Sequence, residues 1–176
     1  QRGLFSSTLG IIGAGNIGRE VIRRAAAFGM PIALWSRTLC QDMVDGQCPV
    51  PLTAEQAKGL GLEIAASTVP ITLYPSIAQV AAESDILSVH STQPSNASPL
   101  ISGEVLAALK PGAAFINTAR ADVVDPEELL RALKDPARDL RAALDVWWNE
   151  PKSAGPFEEC GIDATIAQLP NVLPCS

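Results

Sequence analysis

Gly13-Ala14-Gly15-Asn16-Ile17-Gly18 is the first segment of this chain whose residue types and spacing could do chemistry. In a G-x-G-x-x-G between a strand and a helix, Gly13 permits the tight turn and Gly15 lets main-chain amides approach a pyrophosphate. Gly18 lets helix and strand pack closely, and the positive end of the helix dipole faces the anion. Glycine triplets also recur by chance, so a ligand-free structural turn is the competing reading. About 20 residues further on, such a site places an Asp or Glu on a ribose 2′-hydroxyl. Here no carboxylate occurs between Glu20 and Asp42, and Ser36 followed by Arg37 stands in that place. Ser plus Arg can hydrogen-bond and neutralise a 2′-phosphate that a carboxylate would repel, which favours NADP over NAD. A solvated loop arginine beside a relaxed NAD site is the alternative.

The elements that must position these residues read as short β-branched runs alternating with helices, the pattern of a parallel sheet with crossover helices. Strands are expected at 8–12, 32–35, 71–74, 85–89, 113–118 and 142–147, with a short seventh at 172–173. A helix is expected over 16–28, with Ile17, Val21, Ile22, Ala25 and Phe28 on its apolar face and Gly29 as its C-cap. Residues 38–63 carry Pro49, Pro51, Gly46, Gly59 and Gly61 and read as a long loop with one short helix, opened by a capping box of Thr53 and Gln56. Further helices follow near 76–82, at 102–109 and after Asp125-Pro126-Glu127-Glu128, a sequence suited to a helix start. The expected fold is α/β, a Rossmann-type doubly wound parallel sheet with helices on both faces, in one domain over residues 1–176.

Composition narrows the partners. The 176 residues are 47% hydrophobic and 18% charged, which excludes a disordered chain. Thirteen Lys and Arg against 19 Asp and Glu give a net charge of −6, and an acidic chain does not offer the basic face that nucleic acid or an anionic membrane requires. No apolar run is long enough to span a bilayer. Cys40, Cys48, Cys160 and Cys175 form no CxxC pair and His90 is the only histidine, so no metal site is expected. The cysteines read as reduced thiols of a cytoplasmic protein.

Two further blocks are more specific than the glycines: Asn117-Thr118-Ala119-Arg120-Ala121-Asp122-Val123-Val124-Asp125 and Ala143-Leu144-Asp145-Val146-Trp147-Trp148-Asn149-Glu150-Pro151. With Ser84-Asp85-Ile86-Leu87-Ser88-Val89-His90 they resemble the D-isomer-specific 2-hydroxyacid dehydrogenases, a family that includes phosphoglycerate, glyoxylate and hydroxypyruvate reductases. The similarity covers nearly the whole chain but only the family's nucleotide-binding domain. It implies reduction of a 2-oxo acid by hydride from a nicotinamide. Arg120 would clamp the substrate carboxylate and polarise the carbonyl, a task suited to a permanently charged two-pronged donor. Glu150 would hold a catalytic histidine and raise its pKa. Asp145 would contact the nicotinamide end, Ser91 and the Thr118-Ala119 backbone the middle of the cofactor, and Asn16-Ile17 the pyrophosphate. The family carries a histidine at the position of His90, but its catalytic histidine follows the Glu-Pro block, so His90 reads as a packed or cofactor-adjacent group. Trp147-Trp148 reads as core and pocket wall. A homodimer is expected by resemblance.

Plainer readings stand beside these: an arginine after a strand can be a surface charge, Glu-Pro an ordinary strand exit, and Asp145 the cap of a turn. The sequence also departs from the family. It stops at Asn171-Val172-Leu173-Pro174-Cys175-Ser176, where the turn bearing the catalytic histidine is expected, and lacks the substrate domain. The chain therefore reads as an excised domain that binds nucleotide and turns over poorly alone. The stretch from Arg37 to His90 is longer than is usual, with the excess in 39–63, and Ala121-Asp122 stand where glycines are common. The alternative function is a dinucleotide-sensing regulator or corepressor-like protein of the same fold.

Overall fold

The computed structural model describes residues 3–41, 43, 47–92, 97–149 and 162–175. Its framework is one eight-stranded sheet: β1 (Leu9–Ile12), β2 (Ile32–Trp35), β3 (Val50–Pro51), β4 (Ile71–Leu73), β5 (Ile86–Val89), β6 (Ala114–Asn117), β7 (Arg141–Leu144) and β8 (Val172–Pro174). The order is β3-β4-β2-β1-β5-β6-β7-β8, parallel throughout except for β3. The order reverses direction at β1, between β2 and β5, the place where open α/β sheets leave a crevice for ligands.

Helices cover both faces: α1 (Asn16–Ala27), α2 (Ala54–Leu60), α3 (Glu63–Thr68), α4 (Ile77–Glu83), α5 (Gly103–Ala108), α6 (Pro126–Lys134) and α7 (Ile162–Ala167). Two buried clusters result. Leu9, Ile11, Ile32 and Leu34 meet Ile22, Ala25 and Ala26 of α1 on one face. Ile12, Leu87, Val89 and Phe115 meet Val80, Val105, Leu106 and Leu129 on the other. Side chains from strands buried on both faces alternate between these layers, which is why the strands read as continuous apolar runs.

Residues at the end of each strand are aligned by register. Ile12 pairs with Trp35 on one side and Val89 on the other; Val89 pairs with Asn117, Asn117 with Leu144, and Leu144 with Pro174. Ser36, Gly13, His90, Thr118 and Asp145 each follow this row by one residue, so residues far apart in sequence share one edge of the sheet.

Most expected elements form within one or two residues of their anticipated ends. Thr53 and Gln56 make the capping box of α2, and Asp125 caps α6 through Glu127 and Glu128 with Pro126 in its first turn. Gly29, expected as the C-cap of α1, lies one residue beyond it: Phe28 caps the helix and Gly29 takes φ +71°. The 38–63 stretch holds more structure than a loop with one helix. Pro51 joins an antiparallel edge strand, where a missing N–H costs no ladder bond. Gly61, left-handed at φ 64° and ψ 37°, ends α2, and buried Leu62 starts α3. The strand expected to run to Trp147 stops at Leu144. No described helix is long and apolar enough to cross a membrane.

Candidate dinucleotide and oxo-acid site

The glycine turn is built by the absence of side chains. Gly13 sits at φ +105°, a conformation that side-chain-bearing residues rarely adopt, and a Cβ there would lie 2.9 Å from the His90 carbonyl carbon. A Cβ on Gly18 would lie 2.0 Å from Gly13 O, so α1 and the turn can approach only through glycine. At Gly15 the same construction meets no protein atom within 4 Å. Gly15 is also the N-cap of α1 and supplies no side-chain cap. Free space, a twelve-residue helix and an uncapped positive end together fit a pyrophosphate. The residues present therefore suit a dinucleotide.

A cleft of about 290 Å³ opens on this turn and gathers Gly13, Gly15, Ser36, Arg37, His90 and Ser91. Ser36 is buried and its Oγ lies 3.3 Å from Thr38 Oγ1, while Arg37 is exposed. Buried Cys40 closes the turn from below, taking the Ser36 N–H on its sulfur at 3.5 Å, and burial pushes its thiol pKa up. Asn16 and Ile17 occupy the exposed first turn of α1; Asn16 Oδ1 accepts a bond from Arg19 (2.5 Å) and Ile17 is 64% exposed.

His90 closes β5 with its N–H on Ile12 O, 2.8 Å away. Its Nε2 lies 2.9 Å from the Oγ of buried Ser88, and burial holds its pKa below the usual histidine value.

Further along the same edge, a recess of about 280 Å³ is lined by Ala119, Arg120, Ala121, Asp122 and Val146 to Trp148. Arg120 and Thr118 are exposed, as is Asp145 at the end of β7. Trp147 is buried, and Trp148 donates from Nε1 to Val124 O at 3.1 Å, so the pair forms core and wall as expected. Glu150 lies outside the described residues.

Three features, one at this edge and two elsewhere, carry no clear signal in the sequence. Asn117, fully buried at the end of β6, uses its carboxamide inside the 117–120 turn; an Asn opening a turn is the available signal. Asp163 is fully buried and takes the Asn149 N–H at 2.7 Å, and nothing in the sequence marks it out. At Gly10 a Cβ would lie 2.0 Å from Ser84 Oγ, so β1 has no room for a side chain there. Among the described residues no cluster of His, Cys, Asp and Glu could hold a metal ion.

Comparison with known proteins agrees with this geometry. The family model for the D-isomer specific 2-hydroxyacid dehydrogenase NAD binding domain matches residues 1–54 and 52–173. The chain is 32% identical over 148 residues to the D-3-phosphoglycerate dehydrogenase of Bacillus subtilis (strain 168), which covers 84% of this chain and 24% of that protein. It is 34% identical over 149 residues to the glyoxylate reductase of Thermococcus litoralis, 85% of this chain and 38% of that protein. It thus spans well under half the length of either relative. The crystal structure of a phosphoglycerate oxidoreductase from Vibrio cholerae o395 superposes with a TM-score of 0.70 at 29% identity, covering 99% of this chain and 46% of that one. A nicotinamide dinucleotide is accordingly the cofactor class, and the chain belongs to the D-isomer-specific 2-hydroxyacid dehydrogenase family, within its NAD-binding domain.

Proposed function

We propose that the protein containing this chain reduces a 2-oxo acid to a D-2-hydroxy acid, with NADPH preferred to NADH. The observation carrying this reading is the placement of Arg120: an exposed guanidinium at the mouth of a recess, on the same sheet edge as the glycine turn. A pure nucleotide sensor has no need of a cation there.

The bound dinucleotide supplies the hydride. The amides of the glycine turn and the first turn of α1 hold its pyrophosphate. Ser36 and Arg37 take the 2′-phosphate, with the guanidinium offsetting its charge. Arg120 pairs with the substrate carboxylate and draws electron density from the neighbouring carbonyl, so that charge developing on oxygen meets a fixed cation. Asp145 borders the nicotinamide end. The proton that completes the hydroxyl comes, in this reading, from a histidine held by Glu150. His90 is unsuited to that step, because burial disfavours its charged form and its Nε2 is engaged by Ser88. The family reading extends to a homodimer in the cytoplasm, checked by light scattering and by fractionation.

The test is NADPH oxidation by the full-length protein over a panel of 2-oxo acids, with Arg120→Ala alongside. Turnover that depends on Arg120 supports the reading. Tight dinucleotide binding with no turnover of any 2-oxo acid contradicts it and favours a regulatory protein.

A further inference from the structure

We infer that Asn117 is the positioning residue for Arg120. Its buried carboxamide sets the turn from which the guanidinium projects. The inference rests on the reading of Arg120 given above and adds what holds that residue in place.

Asn117 has no exposed surface, and both the nitrogen and the oxygen of its carboxamide bond within the turn. Its Nδ2 donates to Arg120 O at 2.9 Å, and its Oδ1 accepts the Ala119 N–H at 3.1 Å. Its main-chain carbonyl accepts the Asp145 N–H at 3.0 Å. One residue therefore fixes both Arg120, through its side chain, and Asp145, through its backbone. The far side of Arg120 is anchored separately: Val123 and Val124 are buried, Val123 O accepts the Ile101 N–H (2.9 Å), and the Asp125 N–H donates to Ile101 O (3.1 Å).

Between these anchors the Arg120 side chain is exposed, with no hydrogen bond or ion pair to any described residue. Its location is then set by its main chain, and the contact that specifies that main chain from the strand side is the Asn117 amide. Asparagine is the residue the geometry calls for, since one buried side chain must both donate to a carbonyl and accept from an N–H. Aspartate keeps the acceptor but turns an oxygen toward the Arg120 carbonyl. Alanine removes both bonds and leaves the Ala119 N–H and the Arg120 C=O without their side-chain partner.

Two variants of the full-length protein, Asn117→Asp and Asn117→Ala, test this beside Arg120→Ala. Amide hydrogen exchange reads the turn without reference to activity. In Asn117→Ala the Ala119 amide should lose its protection while the Phe115 amide of β6 keeps it. Kinetics reads the consequence: in Asn117→Asp the KM for the oxo acid should rise and kcat/KM fall by roughly a hundredfold, the scale of a small misplacement of a substrate-orienting group. The dissociation constant for the dinucleotide should rise much less than that KM, since the glycine turn that holds the pyrophosphate is untouched and only the Ala119 and Asp145 end of the cofactor is disturbed. A merely structural Asn117 would weaken dinucleotide binding along with the fold and leave KM unchanged in the molecules that survive. If Ala119 is released, Arg120→Ala is crippling and yet Asn117→Asp keeps its KM, the positioning role is overturned. If Arg120→Ala is itself harmless, the clamp reading fails, and exchange alone judges the turn: retained protection at Ala119 in Asn117→Ala overturns the inference, and lost protection supports it.

Discussion

Two turns leave the same edge of the sheet and are built on opposite principles. The turn after β1 is shaped by missing side chains. Gly13 at positive φ, Gly18 against Gly13 O and Gly15 open to the cleft together present main-chain amides. The turn after β6 is shaped by a side chain, the Asn117 carboxamide, and presents one cation, Arg120. The contrast matches the ligand proposed for each. A pyrophosphate is large, anionic and common to every reaction cycle, so a rigid rim of backbone donors suits it. A small oxo acid needs one two-pronged group with reach, aimed from a fixed base. The backbone-built turn has no room for a side chain at Gly13 or Gly18, whereas a side-chain-built turn fails by losing aim.

Gly18→Ala should break the first turn most severely. Its Cβ would require the Gly13 carbonyl or α1 to move, a cost of about 1–3 kcal/mol or more in stability. Dinucleotide binding should fall beyond about a hundredfold in a fluorescence titration, and a variant that binds normally would show that the helix and turn need no such approach. Arg120→Ala should spare the first turn and empty the second. Losing a charged hydrogen-bonded pair of about 3 kcal/mol corresponds to roughly a hundredfold lower kcat/KM. Dinucleotide affinity should be unchanged, and a loss of both together would mean the two turns are not separable.

The smallest effect concerns His90, which packs beneath the first turn. Burial lowers its pKa from the ordinary 6.5, so the folded protein resists protonation more than the unfolded chain does. Its contribution is fully present above that value and is lost as pH falls through it toward the lowered pKa. Melting temperatures at pH 7.5 and 5.5 should therefore differ more for the wild type than for His90→Gln. Equal differences would show that the ring is not held neutral by the fold.

Sequence made the first turn legible and left half of the second obscure, for a physical reason. Glycine spacing reports backbone conformation directly, and the steric demands at Gly13 and Gly18 are those the pattern implies. The sheet was legible because its strands are apolar on both faces and its helices carry strong caps, as at Thr53 and Asp125. Asn117 was invisible as a positioning group because its role depends on where Arg120 O falls after the turn closes. Asp163 meets Asn149 across 14 positions in sequence, and Ser88 acquires its role only because His90 follows the end of β5. The edge strand at Val50–Pro51 and helix α3 were missed because neither carries a periodic apolar signal of its own; α3 has only Ala65 buried and leaves Ile64 exposed.

The cleft over β1, β2 and β5 is proposed as a dinucleotide site tuned for a 2′-phosphate. Titration of the full-length protein with NADPH and with NADH, each followed by nicotinamide fluorescence, tests it most directly, with Arg37→Ala as the companion variant. The predicted result is tighter binding of NADPH, and a loss of about tenfold for NADPH alone in Arg37→Ala, the scale of one charge-assisted contact. Equal or tighter binding of NADH would contradict the roles given to Ser36 and Arg37, and binding of neither would contradict the site itself.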